Sequence, residues 1–183
     1  MKTRTFASWS HPAGPQQGRW VLLLAAALLS ACSPGLDWRE ARPEGSNARL
    51  LFPCKPDLHQ RAATAEAPAA MGLAQCKAAG ATFALSWAQI DEPGQIGPAL
   101  QGMRESLATK LAAQAGALSP VQVAGMTPSP FAQQQSLSAK GQQAQVAVFT
   151  RGQQVYQALV LGPRLEPRAW QSFVESIKLG DAS

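Results

Sequence analysis

The 183-residue sequence predicts an α+β domain, a three-layer α/β/α sandwich on a central antiparallel sheet. Three observations carry that expectation. Gln142 to Pro163 reads as a β-hairpin: two apolar, β-rich runs flank Thr150-Arg151-Gly152, and Gly152 can supply the positive φ of a three-residue loop with a bulge. In its second arm Val155, Leu159 and Leu161 point to one side while Tyr156, Ala158 and Val160 point to the other. A strand apolar on both faces needs a layer on each, and two stretches of helical period supply candidates.

In chain order, Ala48 to Phe52 reads as a short strand, stopped by Pro53 and Pro56 around Cys54. Leu58 to Glu66 and Ala69 to Lys77 are weaker strand candidates, rich in alanine and interrupted by Pro68 and Gly72. Ala81 to Ile90 alternates Phe83, Leu85 and Trp87 with Thr82, Ala84, Ser86 and Ala88, giving one bulky and one small face. Between Pro93 and Gly116 the period changes: Ile96, Leu100, Met103, Leu107 and Leu111 recur at helical spacing, Pro98 suits the first turn and Gly116 a C-terminal cap. Leu118 to Ala124 and Phe131 to Ala139 read as strands on either side of a Gly125 to Pro130 turn. Beyond the hairpin, Pro167 starts a helix with Trp170, Phe173, Val174 and Ile177 on one face.

The start of the chain has the layout of a signal peptide. Met1 to Arg19 is polar and carries three cations, Trp20 to Leu29 is an unbroken apolar run, and Ser30-Ala31-Cys32 follows. The run is about half the ~20 residues that a helix needs to cross a bilayer. Leu29-Ser30-Ala31-Cys32 resembles the bacterial lipobox, which implies cleavage before Cys32, diacylation of its thiol and N-acylation of the new terminus. Ser33 stands where an Asp favours inner-membrane retention in lipoproteins, so the expected location is the outer membrane of a Gram-negative cell, facing the periplasm. The expected organisation is a signal peptide over 1–31, a lipidated tether over 32–47 and a single domain over 48–180. Trp38 is the odd residue of the tether: it packs back on the domain edge, sits at the headgroup level, or grips a partner.

Of the formal charge of +5, Lys2, Arg4 and Arg19 belong to the leader; from Cys32 onward 16 − 3 = 13 cations face 11 anions. A residual +2, scattered along the chain, lacks the basic patch of a nucleic-acid footprint. Lipidation of Cys32 leaves Cys54 and Cys76 in an oxidising compartment, where a disulfide is the default pairing. A redox or metal pair is the alternative, without the CxxC spacing or a close second ligand to favour it.

The order of parts resembles the Mog1/PsbP-like domains of bacterial envelope proteins. The motifs that carry the resemblance are Phe52-Pro53-Cys54-Lys55-Pro56, Val121 to Pro128, Gly152 to Gln157, Val160 to Pro163 and Phe173 to Leu179, spanning about Ala48 to Leu179. Ile177 departs from the family's usual aromatic, and the cysteine inside the first motif is a second departure. The resemblance implies the α/β/α sandwich and no particular activity, because it rests on fold-forming residues.

The inventory for chemistry is short. His59 is the one histidine after the leader, and Asp57 lies two residues away on the same side of a strand, with no GxSxG elbow. Asp91-Glu92 precedes the long helix, where acids favour the N-terminal dipole. No P-loop, GxGxxG or HExxH is present. The expected function is therefore a membrane-anchored, non-catalytic binding or assembly module with no cofactor, held to the membrane through Cys32 and contacting another envelope protein through Trp38 or the turn at Met126 and Thr127. A periplasmic hydrolase using His59 and a purely structural envelope protein are the alternatives.

Overall fold

The computed structural model describes residues 35–65 and 69–180. The strands in chain order are β1 (Arg39–Ala41), β2 (Ala48–Phe52), β3 (Asp57–Arg61), β4 (Met71–Ala78), β5 (Ala81–Gln89), β6 (Gln114–Ala115), β7 (Ser119–Pro120), β8 (Gln133–Ala139), β9 (Gln142–Arg151), β10 (Gln154–Gly162) and β11 (Lys178–Leu179). Helix α1 (Ile96–Lys110) follows β5 and α2 (Pro167–Glu175) follows β10. This is an α+β fold with a mostly antiparallel sheet.

Strands β9 and β10 sit in the middle of an eight-stranded sheet of order β3-β4-β5-β10-β9-β8-β6, with β7 also paired to β8; β1, β2 and β11 form a second, three-stranded sheet. The expected hairpin is there, but its loop is shorter than expected. Arg151 pairs with Gln154, leaving a two-residue turn in which Gly152 has φ 55°. A positive-φ glycine at the first turn position fits a type II′ hairpin, whose twist matches that of its strands without a bulge.

The alternation of β10 sorts the core. Val155 packs with Ala88, Val148 and Leu100, and Ile96, Ala99 and Met103 of α1 lie against the same cluster. Further along that face Leu107 and Leu111 meet Leu137, Val146, Leu159 and Leu161. Tyr156, Ala158 and Val160 belong instead to the cluster that holds Trp170, Phe173, Val174 and Ile177 together with Leu50 and Phe52. Phe173 is its centre, with ring centroids 5.2 Å from Phe52 and 5.5 Å from Phe83 in edge-to-face contact. The bulky side of β5 (Phe83, Leu85, Trp87) is buried here, while its small side leaves room for α1.

Several boundaries move, for identifiable reasons. Residues 35–47, assigned to the tether, carry β1, whose Arg39 to Ala41 pair with Phe52 to Leu50. Helix α1 ends at Lys110 rather than Gly116. Ala113 N–H donates to Ala108 O (3.0 Å) and Ala112 N–H to Thr109 O (3.0 Å), with Ala112 at φ 47°. That is a Schellman closure with alanine where glycine is usual. Gly116 serves close approach instead: its N–H donates to Ser136 O (2.8 Å), and a Cβ would lie 2.5 Å from Ser136 Oγ. The strand expected over Leu118 to Ala124 shrinks to Ser119–Pro120, because Val121 and Val123 turn into the core outside any ladder.

Candidate functional site

Concave surface surrounds the loop that joins β1 to β2. Gly45 (φ 72°) and Asn47 (φ 50°) set its left-handed turns. Five side chains pin it. Ser46, fully buried, donates through Oγ to Pro43 O (2.6 Å) and accepts from Ala48 N–H (3.1 Å). Tyr156 O–H donates to Ser46 O (2.7 Å) and lies 2.8 Å from Gln154 Oε1. Gln154 Nε2 donates to Gly45 O (2.8 Å), and Asn47 Nδ2 donates to Gln154 Oε1 (3.1 Å). From β3, Gln60 Nε2 donates to Glu44 O (2.6 Å). The loop is thus held from beneath by the central strand and from one side by the sheet edge. Burial pushes the Tyr156 phenol up, only partly opposed by the positive charge of Arg151, so it is a neutral donor at physiological pH.

Two clefts flank this loop. One, of about 450 Å³, is lined by Arg42, Glu44, Asn47, Arg49, Lys178 and Gly180 among others. Its cations are partly spoken for, since Glu40 pairs with Arg42 at 3.1 Å and with Arg49 at 3.8 Å. These pairs are about half exposed and contribute little to stability. The other cleft, of about 380 Å³, is lined by Gly45, Asn47, Gln60, Arg61, Met71, Trp87, Gln89 and Gln154 among others.

The residues singled out from sequence lie elsewhere. Cys54 and Cys76 form the disulfide, 22 residues apart in sequence. Trp38 is half-buried, edge-to-face on Phe83 with centroids 6.0 Å apart. Met126 packs against the main core, and its Sδ accepts from Val123 N–H (3.2 Å). Thr127 is exposed, yet its N–H donates to Thr150 O (2.7 Å) and its Oγ1 accepts from Gly152 N–H (2.9 Å). The turn is therefore built onto the hairpin, and Arg151 Nη1 fastens it further by donating to Gly125 O and Leu179 O, both at 3.1 Å. His59 and Asp57 are exposed on the edge strand β3 and line neither cleft. Cys32 and the rest of the leader lie outside the described residues, among which no helix is long and apolar enough to cross a membrane.

Sequence reasoning passed over the 43–47 loop because its signals are single residues without a period. Gly45 and Asn47 are residue types that tolerate positive φ, but the glutamines that pin the loop come from 16 to more than 100 positions away. No protein-family model matches this chain, and no curated protein is similar to it.

Proposed function

We propose that the chain is an exported lipoprotein, anchored through Cys32 on the periplasmic face of the outer membrane, whose domain is a non-catalytic binding or assembly module built as a Mog1/PsbP-like three-layer α/β/α sandwich. The lipobox-like Leu29-Ser30-Ala31-Cys32 after the Trp20 to Leu29 run supports the anchor. Apolar contacts of α1 on one face of β10 and of α2 on the other support the layering. The observation that carries the binding role is the pinned loop 43–47 with polar concave surface on both flanks. Rigid polar groups lining a concavity recognise a partner with little ordering cost.

The test is crosslinking in intact cells followed by affinity purification of the full chain, with Cys32→Ala alongside. A discrete envelope component recovered with the anchored protein and lost with Cys32→Ala is expected. Recovery of the same abundant proteins with both forms overturns the assembly role, and a Cys32→Ala protein that still fractionates with membranes overturns the anchor.

A further inference from the structure

We propose that the end of the large sheet at which the chain enters the domain docks on an anionic phospholipid surface; the inference rests on the Cys32 anchor and names how that anchor orients the domain. The chain joins the domain well before the end of the expected 32–47 tether. Gly35 already sits beside the β4–β5 turn, where a Cβ on it would lie 3.4 Å from Ala79 Cβ. Leu36 and Trp38 pack against the main core, and Asp37 N–H donates to Pro53 O (3.0 Å). In sequence, Ser33 and Pro34 alone separate Cys32 from Gly35. Three steps of extended chain reach about 11 Å, so an acylated Cys32 keeps this end of the sheet close to the lipid headgroups.

The topology gathers cations at the same end. Here β4 turns into β5, β8 turns into β9, and β10 finishes beside both turns. A shallow concavity is lined by Lys77, Ala79, Gly80, Gln142, Gly162 and Pro163 among others. Lys55 adjoins Cys54, which is bonded to Cys76 next to Lys77. Lys140 lies in the β8–β9 turn and Arg164 follows Pro163. Lys110 closes α1 beside Leu111, which packs near Leu159 and Leu161. All five cations are exposed. The acids of the same segments are Asp57 and Glu166, because Asp37 is paired with Arg39. That leaves 5 − 2 = +3 at this end. The opposite end has Asp91 and Glu92 against Arg61 and Arg151, with no such surplus.

A cation held near an anionic bilayer surface is favoured roughly fivefold. A surplus of three favours this pose over its reverse by roughly a hundredfold, enough to orient a domain that its anchor already holds. The pose bears on the binding role. Loop 43–47 is held by Gln60 and Gln154, at the far end of β3 and the start of β10. The nine residues of β10 span roughly 30 Å, so both clefts beside that loop are presented away from the membrane.

The experiment is amine acylation read by mass spectrometry, on the lipidated protein added to preformed phosphatidylcholine vesicles with or without phosphatidylglycerol. Beyond the leader the lysines are Lys55, Lys77, Lys110 and Lys140, all at the proposed face, and Lys178, which lines the cleft beside Gly45 and is the internal control. The four should react at least about threefold more slowly on the anionic vesicles than on the neutral ones, Lys178 should not change, and high salt should abolish the difference. The double variant Lys77→Gln, Lys140→Gln, at two exposed positions, should weaken the protection of Lys55 and Lys110 about twofold or more. Even labelling of all five, protection of Lys178 instead, or the same protection on neutral vesicles overturns the docking face. Absence of an acyl mass on Cys32 overturns the anchor and this inference together, whereas acylated, vesicle-bound protein with even labelling overturns this inference alone.

Discussion

Tyr156 is the single tyrosine of the chain, and one side chain there does two jobs. Its ring stacks on Phe149, centroids 5.4 Å apart, and its hydroxyl holds the 43–47 loop through Ser46 O. Because burial raises its folded pKa, below the ordinary phenol value of about 10 the group is protonated in both folded and unfolded chains, and its contribution is fully present. Above that value the unfolded chain releases the proton while the folded one keeps it, so stability falls as pH rises through this window. Tyr156→Phe is expected to cost about 1–2 kcal/mol at pH 8, where the Ser46 carbonyl loses its donor. The difference from wild type should then shrink at higher pH, since phenylalanine has no proton to lose. Urea unfolding at pH 8 and near pH 10.5 measures this; parallel losses in the two proteins would refute the assignment. The sequence places Tyr156 on the correct face of its strand, but not its bond to a loop more than a hundred residues earlier, which is set by how the two sheets pack.

At the scale of elements, long periodic segments were legible and short polar ones less so: β1 fell in the expected tether, and β3 (Asp57–Arg61) shows in the sequence only as a weak strand over Leu58 to Glu66. The helical spacing from Ile96 to Leu111 and the alternation in Ala81 to Gln89 both appear as read, because burial on one face leaves a repeat in the sequence. Strands β1 and β3 have no such repeat. Arg39-Glu40-Ala41 is exposed or half-buried and all five residues of β3 are exposed, so backbone pairing alone defines them. The end of α1 was misplaced by a related difficulty: glycine is the usual sign of a left-handed cap, and alanine occupies it. A left-handed alanine costs roughly 1–2 kcal/mol, part of which glycine gives back as unfolded-chain entropy. Ala112→Gly should therefore stabilise by about 0.5–1 kcal/mol, raising Tm by roughly 2–3 °C. Gly116→Ala, at the position first expected to be the cap, should instead lower Tm, since its Cβ would meet Ser136 Oγ at 2.5 Å. Thermal melts of the two variants giving the opposite order would show that the helix does not end where the Ala113 to Ala108 bond puts it.

At the scale of the molecule, the question is what joins the three-stranded sheet to the eight-stranded one. Besides the hydrogen bonds of Tyr156 to Ser46 and of Arg151 to Leu179, two further couplings do so. Phe52 of β2 meets Phe173 of α2, which in turn packs on Phe83 of β5. The second is covalent: Cys54, just after β2, is bonded to Cys76 on β4, whose side chain is 6% exposed. The sequence made the cysteine pairing legible by elimination, but not that the bond crosses between sheets. In the chain-entropy picture a loop of this length contributes roughly 3 kcal/mol. The double variant Cys54→Ala, Cys76→Ala should therefore still fold, held by the aromatic contacts, with Tm lower by roughly 10 °C. Its weakening should be uneven. Without the cross-link the small sheet can part from α2 more readily, so hydrogen exchange should quicken at β1, β2 and β11 before it does at β9 and β10, which lie mid-sheet and are buried along most of their length. Uniform acceleration in all strands would mean that the two sheets open as one cooperative unit and that the bond acts only on the unfolded chain. An unchanged Tm would mean that the aromatic and hydrogen-bonded contacts join them without help from the disulfide.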